Sequence, residues 1–413
     1  MSGPTPLAER LEVVDILRGV AIFGILLVNM ELFTTPIYQT GTAYRLWPGW
    51  ANQTVDWVIR FLAEGKFYTL FSFLFGFGLA MQMERARVRG VRFVPLYVRR
   101  LLVLLIIGAA HALLLWIGDI LVTYAVLGFV LLLFRNRRPR TVLTAAGACL
   151  LLAVVVNAAP AAVALYADRA AATEPSDVDQ TDATLELLAQ QATRVYTQGS
   201  FAEIVRQRLR DLRFLYSFEI LVVFGVLTMF LLGLYAGRRG LFHDVGAHRA
   251  LIRQALWWGG GIGLAGNLAF AMTATHESSL ADLISAIGFE VGAPALSVAY
   301  MSGLTLLTQQ AAWRARLAPL AAVGRMALSN YLFQSVICTT IFYGYGLGLF
   351  GKVGPAAGAT LAVAIYAVQI PLSGWWLRRF QFGPVEWLWR SLTYLRIQPM
   401  RASHLEGTRS LAI

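Results

Sequence analysis

A chain of 413 residues in which 57% are hydrophobic and 14% charged lies well outside the composition of soluble globular domains, and its apolar runs leave no room for a soluble domain of any size. A net charge of +12 would suit nucleic acid, but the arginines sit in short blocks between apolar runs, where signals for membrane orientation belong. The two cysteines, Cys149 and Cys338, both lie inside apolar runs, so neither a disulfide framework nor a Cys-based metal site is indicated.

A hydrocarbon core about 30 Å thick takes roughly 20 apolar residues per helical crossing. A first span is expected at 16–33; without a small-residue cleavage site it reads as an uncleaved helix, not a signal peptide. Asp15 and Arg18, three apart, share a helix face and can pair. An amphipathic stretch at 55–62 and the sequence Glu64-Gly65-Lys66 lead into an aromatic-rich second span at 67–81, with Lys66 placed to snorkel to the interface. Arg85, Arg87, Arg89, Arg92, Arg99 and Arg100 follow and place that loop in the cytoplasm. The third span, 101–117, carries Gly118 and Asp119 to the outer side, and the fourth, 120–134, returns to Arg135, Arg137, Arg138 and Arg140.

After a fifth span at 142–166, residues 167–213 form the one long polar stretch. Its acidic start (Glu174, Asp177, Asp179, Asp182) suits an extracytoplasmic insertion, helical over 185–210. Spans at 214–236 with Glu219, 255–273 with a glycine-rich centre, 283–307 with Glu290, 326–350 and 356–376 complete the series. The glycines Gly259 to Gly263 precede no phosphate-loop lysine and read as close helix packing. A Trp-rich amphipathic segment at 383–390, within a cytoplasmic stretch at 380–413, would lie in the interface. The expected fold is all-α: a single integral membrane domain over 1–413, a polytopic bundle of about ten transmembrane helices with both termini cytoplasmic.

His111 and Asp119 are the candidate catalytic residues. A carboxylate at bilayer depth costs roughly 2.5–3.5 kcal/mol on insertion scales, so function is its default reading, with a turn aspartate capping the next helix as the simpler alternative. His111 is the only histidine inside an apolar run. Eight residues apart on one helix, the two would stand about 12 Å apart; contact requires the chain to turn back at Gly118. In that case, or if both line one cavity, His111 is a general base and Asp119 holds an acceptor hydroxyl or amine. Arg18, Asn29, Lys66, Glu290, Arg325, Asn330 and Gln334 are the candidate substrate- or donor-binding residues. The plainer reading of Glu219 and Glu290 is a salt bridge within the bundle, and of Asn29, Asn267, Asn330 and Gln334, hydrogen bonding between helices. No Walker, EF-hand, zinc or Ser-His-Asp pattern stands out, and no metal is expected.

Leu17-Arg18-Gly19 through Asn29, Gly65-Lys66-Phe67 with Leu70 through Gly78, His111 through Leu121, Gly324-Arg325 through Gln334, and Gly383-Pro384 through Arg390 resemble, in order and over nearly the whole chain, the YeiB family of bacterial membrane proteins, domain of unknown function 418. That family is similar to transmembrane acyltransferases that include heparan-alpha-glucosaminide N-acetyltransferase. The resemblance implies acetyl-CoA or another acyl-CoA as donor on the cytoplasmic side, and a small-molecule, lipid or glycan acceptor across the inner membrane. The lumenal histidine of the eukaryotic relatives has no counterpart, since residues 31–53 contain none. Arg85 to Arg100, Arg325 and Arg390 would meet the donor's phosphates. The competing readings are a transporter of a small anionic or lipid-like substrate, using the same buried charges, and a non-catalytic membrane subunit. The expected partners are the lipid bilayer, the acceptor and, as a homo-oligomer, a second copy of the chain, with no nucleic acid.

Overall fold

Long runs of Leu, Val, Ile and Ala satisfy their backbone polar groups internally as helices, and the computed structural model of the protein is built from them. It describes residues 11–41, 43–170, 178–276 and 278–401. Glu174, Asp177 and the tail 402–413 lie outside the described residues, as do the side chains of Asp179, Asp182 and Glu219. The helices are α1 (Glu12–Thr34), α2 (Ala43–Leu46), α3 (Trp50–Leu62), α4 (Lys66–Val88), α5 (Phe93–Leu114), α6 (Leu121–Leu132), α7 (Pro139–Ala170) and α8 (Val178–Gln198). They continue as α9 (Phe201–Ser217), α10 (Glu219–Arg238), α11 (Arg249–Thr273), α12 (Ser279–Leu307), α13 (Ala311–Arg325), α14 (Ala327–Phe342), α15 (Pro355–Leu377) and α16 (Pro384–Tyr394). Apart from one isolated bridge between Phe380 and Arg401, the described residues hold no β structure.

Six of these, α1, α5, α7, α10, α12 and α15, are long and apolar enough to cross a membrane, and α6 and α14 are shorter apolar helices. Helix α7 turns Leu151, Val155 and Val163 outward, at 64%, 52% and 68% exposure. A face of that kind is stable only against an apolar medium. Helix α1 is the hub: Ile16, Leu17, Ala21, Ile22 and Leu26 are fully buried, and α4, α12, α13, α14 and α15 all pack on it.

The arginine blocks outside α9 gather at one end of the bundle. Arg238 at the end of α10 donates to the carbonyls of Phe134 and Arg137, both at 2.8 Å, and to that of Arg135, while Arg314 pairs with Glu12 at 2.6 Å. Two seams need glycine for closeness. On α4, a Cβ at Gly76 would lie 1.9 Å from the Phe230 carbonyl oxygen, and on α10 one at Gly233 would lie 1.9 Å from that of Phe73. Gly259 and Gly263 let α11 touch the backbone of α12, whereas Gly260 and Gly261 face open space.

Some boundaries differ from the sequence expectation. The second span continues to Val88, because arginines in its last turn complement the helix dipole and do not stop the helix. The polar helix expected over 185–210 breaks at Gly199. There Ser200 and Glu203 form a reciprocal capping box that starts α9, which runs on to Ser217, past the start expected for the sixth span. The span expected at 326–350 stops at Phe342. It is preceded by α13, whose Gly324 packs on the Asp15 carbonyl of α1.

Candidate functional site

His111 occupies the last turn of α5, and its carbonyl accepts the amides of Leu115 and Trp116, both at 2.9 Å, which ends the helix. Trp116 is fully buried and stacks on Phe33 of α1 with ring centroids 4.0 Å apart. The chain reverses over the indole at Gly118, where a Cβ would lie 2.1 Å from the Trp116 ring. That reversal brings Asp119 back: its Oδ1 lies 2.9 Å from His111 Nδ1, and its Oδ2 accepts the Val122 amide at 3.0 Å. The aspartate therefore caps α6 and orients the imidazole at once. On the other side of the ring, His111 Nε2 lies 2.9 Å from Ser335 Oγ of α14. Tyr331, one turn earlier on α14, donates to the Gly118 carbonyl at 3.0 Å and sets its ring 5.0 Å from the imidazole.

Ser335, His111 and Asp119 thus form a hydrogen-bonded chain in which every member is buried. With Nδ1 donating to the carboxylate, Nε2 is free to accept the serine proton, the proton-accepting arrangement of a nucleophile, base and orienting acid. No Ser-His-Asp pattern stands out in the sequence because the serine is 224 residues from the histidine, with no local motif.

A cavity of about 310 Å³ runs from the basic end of the bundle as far as Ile120 and Tyr331, the neighbours of this chain, and none of Ser335, His111 and Asp119 lines it. Arg18, Arg85, Arg89, Arg100, Arg325 and Arg390 line its outer part, and Phe71, Phe75, Leu121, Tyr124 and Tyr331 its inner part. Arg18 pairs with Asp15 at 3.0 Å. Arg100 stacks on Trp389 of α16 at 3.8 Å. The Nε of Arg325 is buried without a hydrogen-bond partner, an orphaned donor at the cavity wall. Glu386 of α16 accepts the amides of Leu328 and Ser329 and the Ser329 hydroxyl, so α16 caps the start of α14. Burial pushes the Glu386 carboxyl up, against those hydrogen bonds.

The other candidates lie elsewhere. Asn330 donates to the Val323 carbonyl and to Ser373, and Gln334 to Gln369 at 2.8 Å, so both tie α14 to its neighbours, as their interhelical reading has it. Glu290 is buried on α12 facing Gly225 of α10. Asn29 is half-buried on α1 and does not line the cavity. Lys66 does not snorkel: it is fully buried and donates to the Arg60 carbonyl at 2.7 Å, because α3 folds back over the start of α4. Beside it, Glu31, Asp56, Arg60 and Glu64 line a second cavity of about 220 Å³ at the end away from the arginine blocks. Burial raises the Glu64 carboxyl there, with Arg60 and Lys66 pulling it back.

The sequence expectation has His111 and Asp119 serving an acceptor at the outer end of the bundle. The polar insertion covers that end. Arg208 of α9 is fully buried and donates to the Leu113 carbonyl at 2.7 Å, and Asp211 accepts Tyr38 at 2.9 Å, Tyr196 at 2.6 Å and Gln207 at 2.8 Å. The cavity on the arginine side comes as near to the buried chain as the Tyr331 ring, which stands between them.

Residues 236–396 match the family described as "Protein of unknown function (DUF418)". The "Uncharacterized protein YxaH" of Bacillus subtilis (strain 168) is 40% identical over 413 residues, covering 96% of this chain and 97% of the relative. The "Uncharacterized protein YeiB" of Escherichia coli (strain K12) is 30% identical over 403 residues, covering 93% and 96%. The "Uncharacterized 39.9 kDa protein in amylase 3'region" of Bacillus acidopullulyticus is 29% identical over a similar span. With relatives of that identity aligned end to end and the signature segments in the same order, the chain belongs to the YeiB family of DUF418 proteins.

Proposed function

We propose that the protein is a transmembrane acyltransferase of the bacterial inner membrane, taking an acyl group from an acyl-CoA in the cytoplasm and passing it toward an acceptor such as a sugar or lipid headgroup. The observation that carries this reading is the cavity: lined by arginines and by aromatic and aliphatic side chains, and bounded by Tyr331, whose ring separates it from the base of a Ser-His-Asp chain. An acyl-CoA has the same polarity along its length, with phosphates at one end and a thioester at the other. The arginines, with the orphaned Arg325 Nε among them, suit the phosphates. His111 takes a proton at Nε2, and Asp119 holds the Nδ1 proton in place.

In this reading α4, α6, α11 and α14 join the six long apolar helices to make ten crossings. That count puts both termini and the arginine blocks at 85–100, 135–140, 238–239, 314–316 and 378–379 on the cytoplasmic side, with Arg206, Arg208, Arg210 and Arg213 of α9 on the other. A cavity reached from one end, with α9 covering the other, also fits the transport reading, which predicts uptake without thioester cleavage.

The test is titration of the purified protein in detergent with CoA, followed through the fluorescence of Trp389 beside Arg100. Saturable binding, weakened at least about tenfold by Arg325→Ala, is the expected result, since a charged hydrogen bond is worth about 1.5–3 kcal/mol. Absence of CoA binding to the wild type would sink the reading.

A further inference from the structure

We infer that Ser335 is the acyl carrier: the acyl group is transferred first to Ser335 Oγ and only then to the acceptor. The inference rests on the acyltransferase reading and adds to it a nucleophile and an order of steps.

Three observations support it. Ser335 Oγ sits 2.9 Å from His111 Nε2, and the same imidazole is held from behind by Asp119 at 2.9 Å, so the hydroxyl has a base already aligned on its proton. The three groups come from separate places, α14, the end of α5 and the turn after it, and each is buried. Finally, the cavity of about 310 Å³ lies on one side of the chain and the α9 cap on the other. Donor and acceptor coming from opposite ends therefore have no common chamber. A group held covalently on α14, the helix that runs between those ends, removes the need for one.

The chemistry balances in two halves. Ser335 Oγ attacks the thioester carbonyl carbon as its proton passes to His111 Nε2; the carbon–sulfur bond breaks, and the leaving sulfur takes that proton as free CoA thiol. An acceptor hydroxyl or amine then gives its proton to Nε2 and attacks the serine ester, and Ser335 Oγ recovers the proton as the ester bond breaks. Asp119 holds the Nδ1 proton and compensates the imidazolium. For the first half the Tyr331 ring must turn aside, since it stands one helical turn nearer the cavity than Ser335 and is tethered there by its bond to the Gly118 carbonyl.

Purified wild type, Ser335→Ala and His111→Ala are each incubated with acetyl-CoA, quenched in acid and analysed by peptide mass spectrometry, with released CoA measured by chromatography and CoA binding measured in parallel. The expected result is one acetyl group on the peptide containing Ser335 in wild type, matched by released CoA. Both variants should lose adduct and release while still binding CoA, which shows that they are folded. Equal CoA release by Ser335→Ala and wild type would overturn the carrier role and leave acyl transfer standing. Wild type that binds CoA yet forms no adduct and releases no thiol overturns it as well. Wild type that does not bind CoA removes the reading beneath it.

Discussion

Replacing Asp119 by asparagine and by alanine separates an orienting carboxylate from a helix cap. The carboxylate accepts two hydrogen bonds, from His111 Nδ1 at 2.9 Å and the Val122 amide at 3.0 Å, and its side chain has no exposure. Alanine strands both donors without water; at about 1–3 kcal/mol for each, Asp119→Ala should cost about 2–6 kcal/mol. Asparagine keeps an oxygen for Val122 and turns its amide toward Nδ1, so the cap survives and the loss is only about 1 kcal/mol. The amide, however, donates where the carboxylate accepted. The imidazole must move its proton to Nε2, the nitrogen facing Ser335, and a base with its proton already in place cannot take another. In serine-protease triads this tautomer error costs on the order of 10⁴ in rate. Thermal unfolding in detergent reads the first effect, and CoA release from acetyl-CoA the second. Asp119→Asn that is as active as wild type would refute the orienting role; equal instability of the two variants would refute the cap.

Reporter fusions test the orientation: a fusion after Arg138 should read cytoplasmic and one after Thr184 outside, and reversal at either site would break the ten-crossing arrangement. Burial pushes the Asp211 carboxyl above its ordinary range, partly offset by the hydrogen bonds from Tyr196, Gln207 and Tyr38. A raised acid stabilises the fold fully below about pH 3.9 and loses that contribution as pH climbs through its folded value. Thermal stability measured from about pH 4 upward should fall for this reason, and less steeply in Asp211→Asn; parallel curves would show that Asp211 does not set it. Gly76→Ala drives a Cβ against the Phe230 carbonyl, a backbone atom that cannot give way without moving α10. A cost of at least about 1–3 kcal/mol is expected, and wild-type yield and unfolding temperature would show that the seam can open freely.

His111 and Asp119 were legible because charge or imidazole inside long apolar runs is conspicuous, and the glycine between them marked where the chain could reverse. Ser335 was not legible. A hydroxyl in a helix that also carries Ser329, Asn330, Gln334 and Thr339 has no distinguishing pattern, and its meaning comes only from α5 arriving beside it. The polar insertion reads as solvated, yet it buries Arg208 and Asp211, because Tyr38, Tyr196 and the end of α5 supply partners from distant parts of the chain. Lys66 was misplaced for a related reason: its length permits snorkelling, and nothing local shows that the Arg60 carbonyl comes back to meet it.

The α4–α10 seam places a demand on how the chain is made. Gly76 and Gly233 bring two helices into backbone contact although 157 residues separate them. At a synthesis rate of about 5–20 residues per second, α4 waits roughly 8–30 s for its partner. During that interval the flat glycine face of α4 is available to lipid or to the wrong helix. The same closeness that locks the finished bundle therefore makes α4 the segment most dependent on whatever shelters helices leaving the translocation machinery, and a slowed ribosome should harm this protein more than one whose neighbouring helices are consecutive.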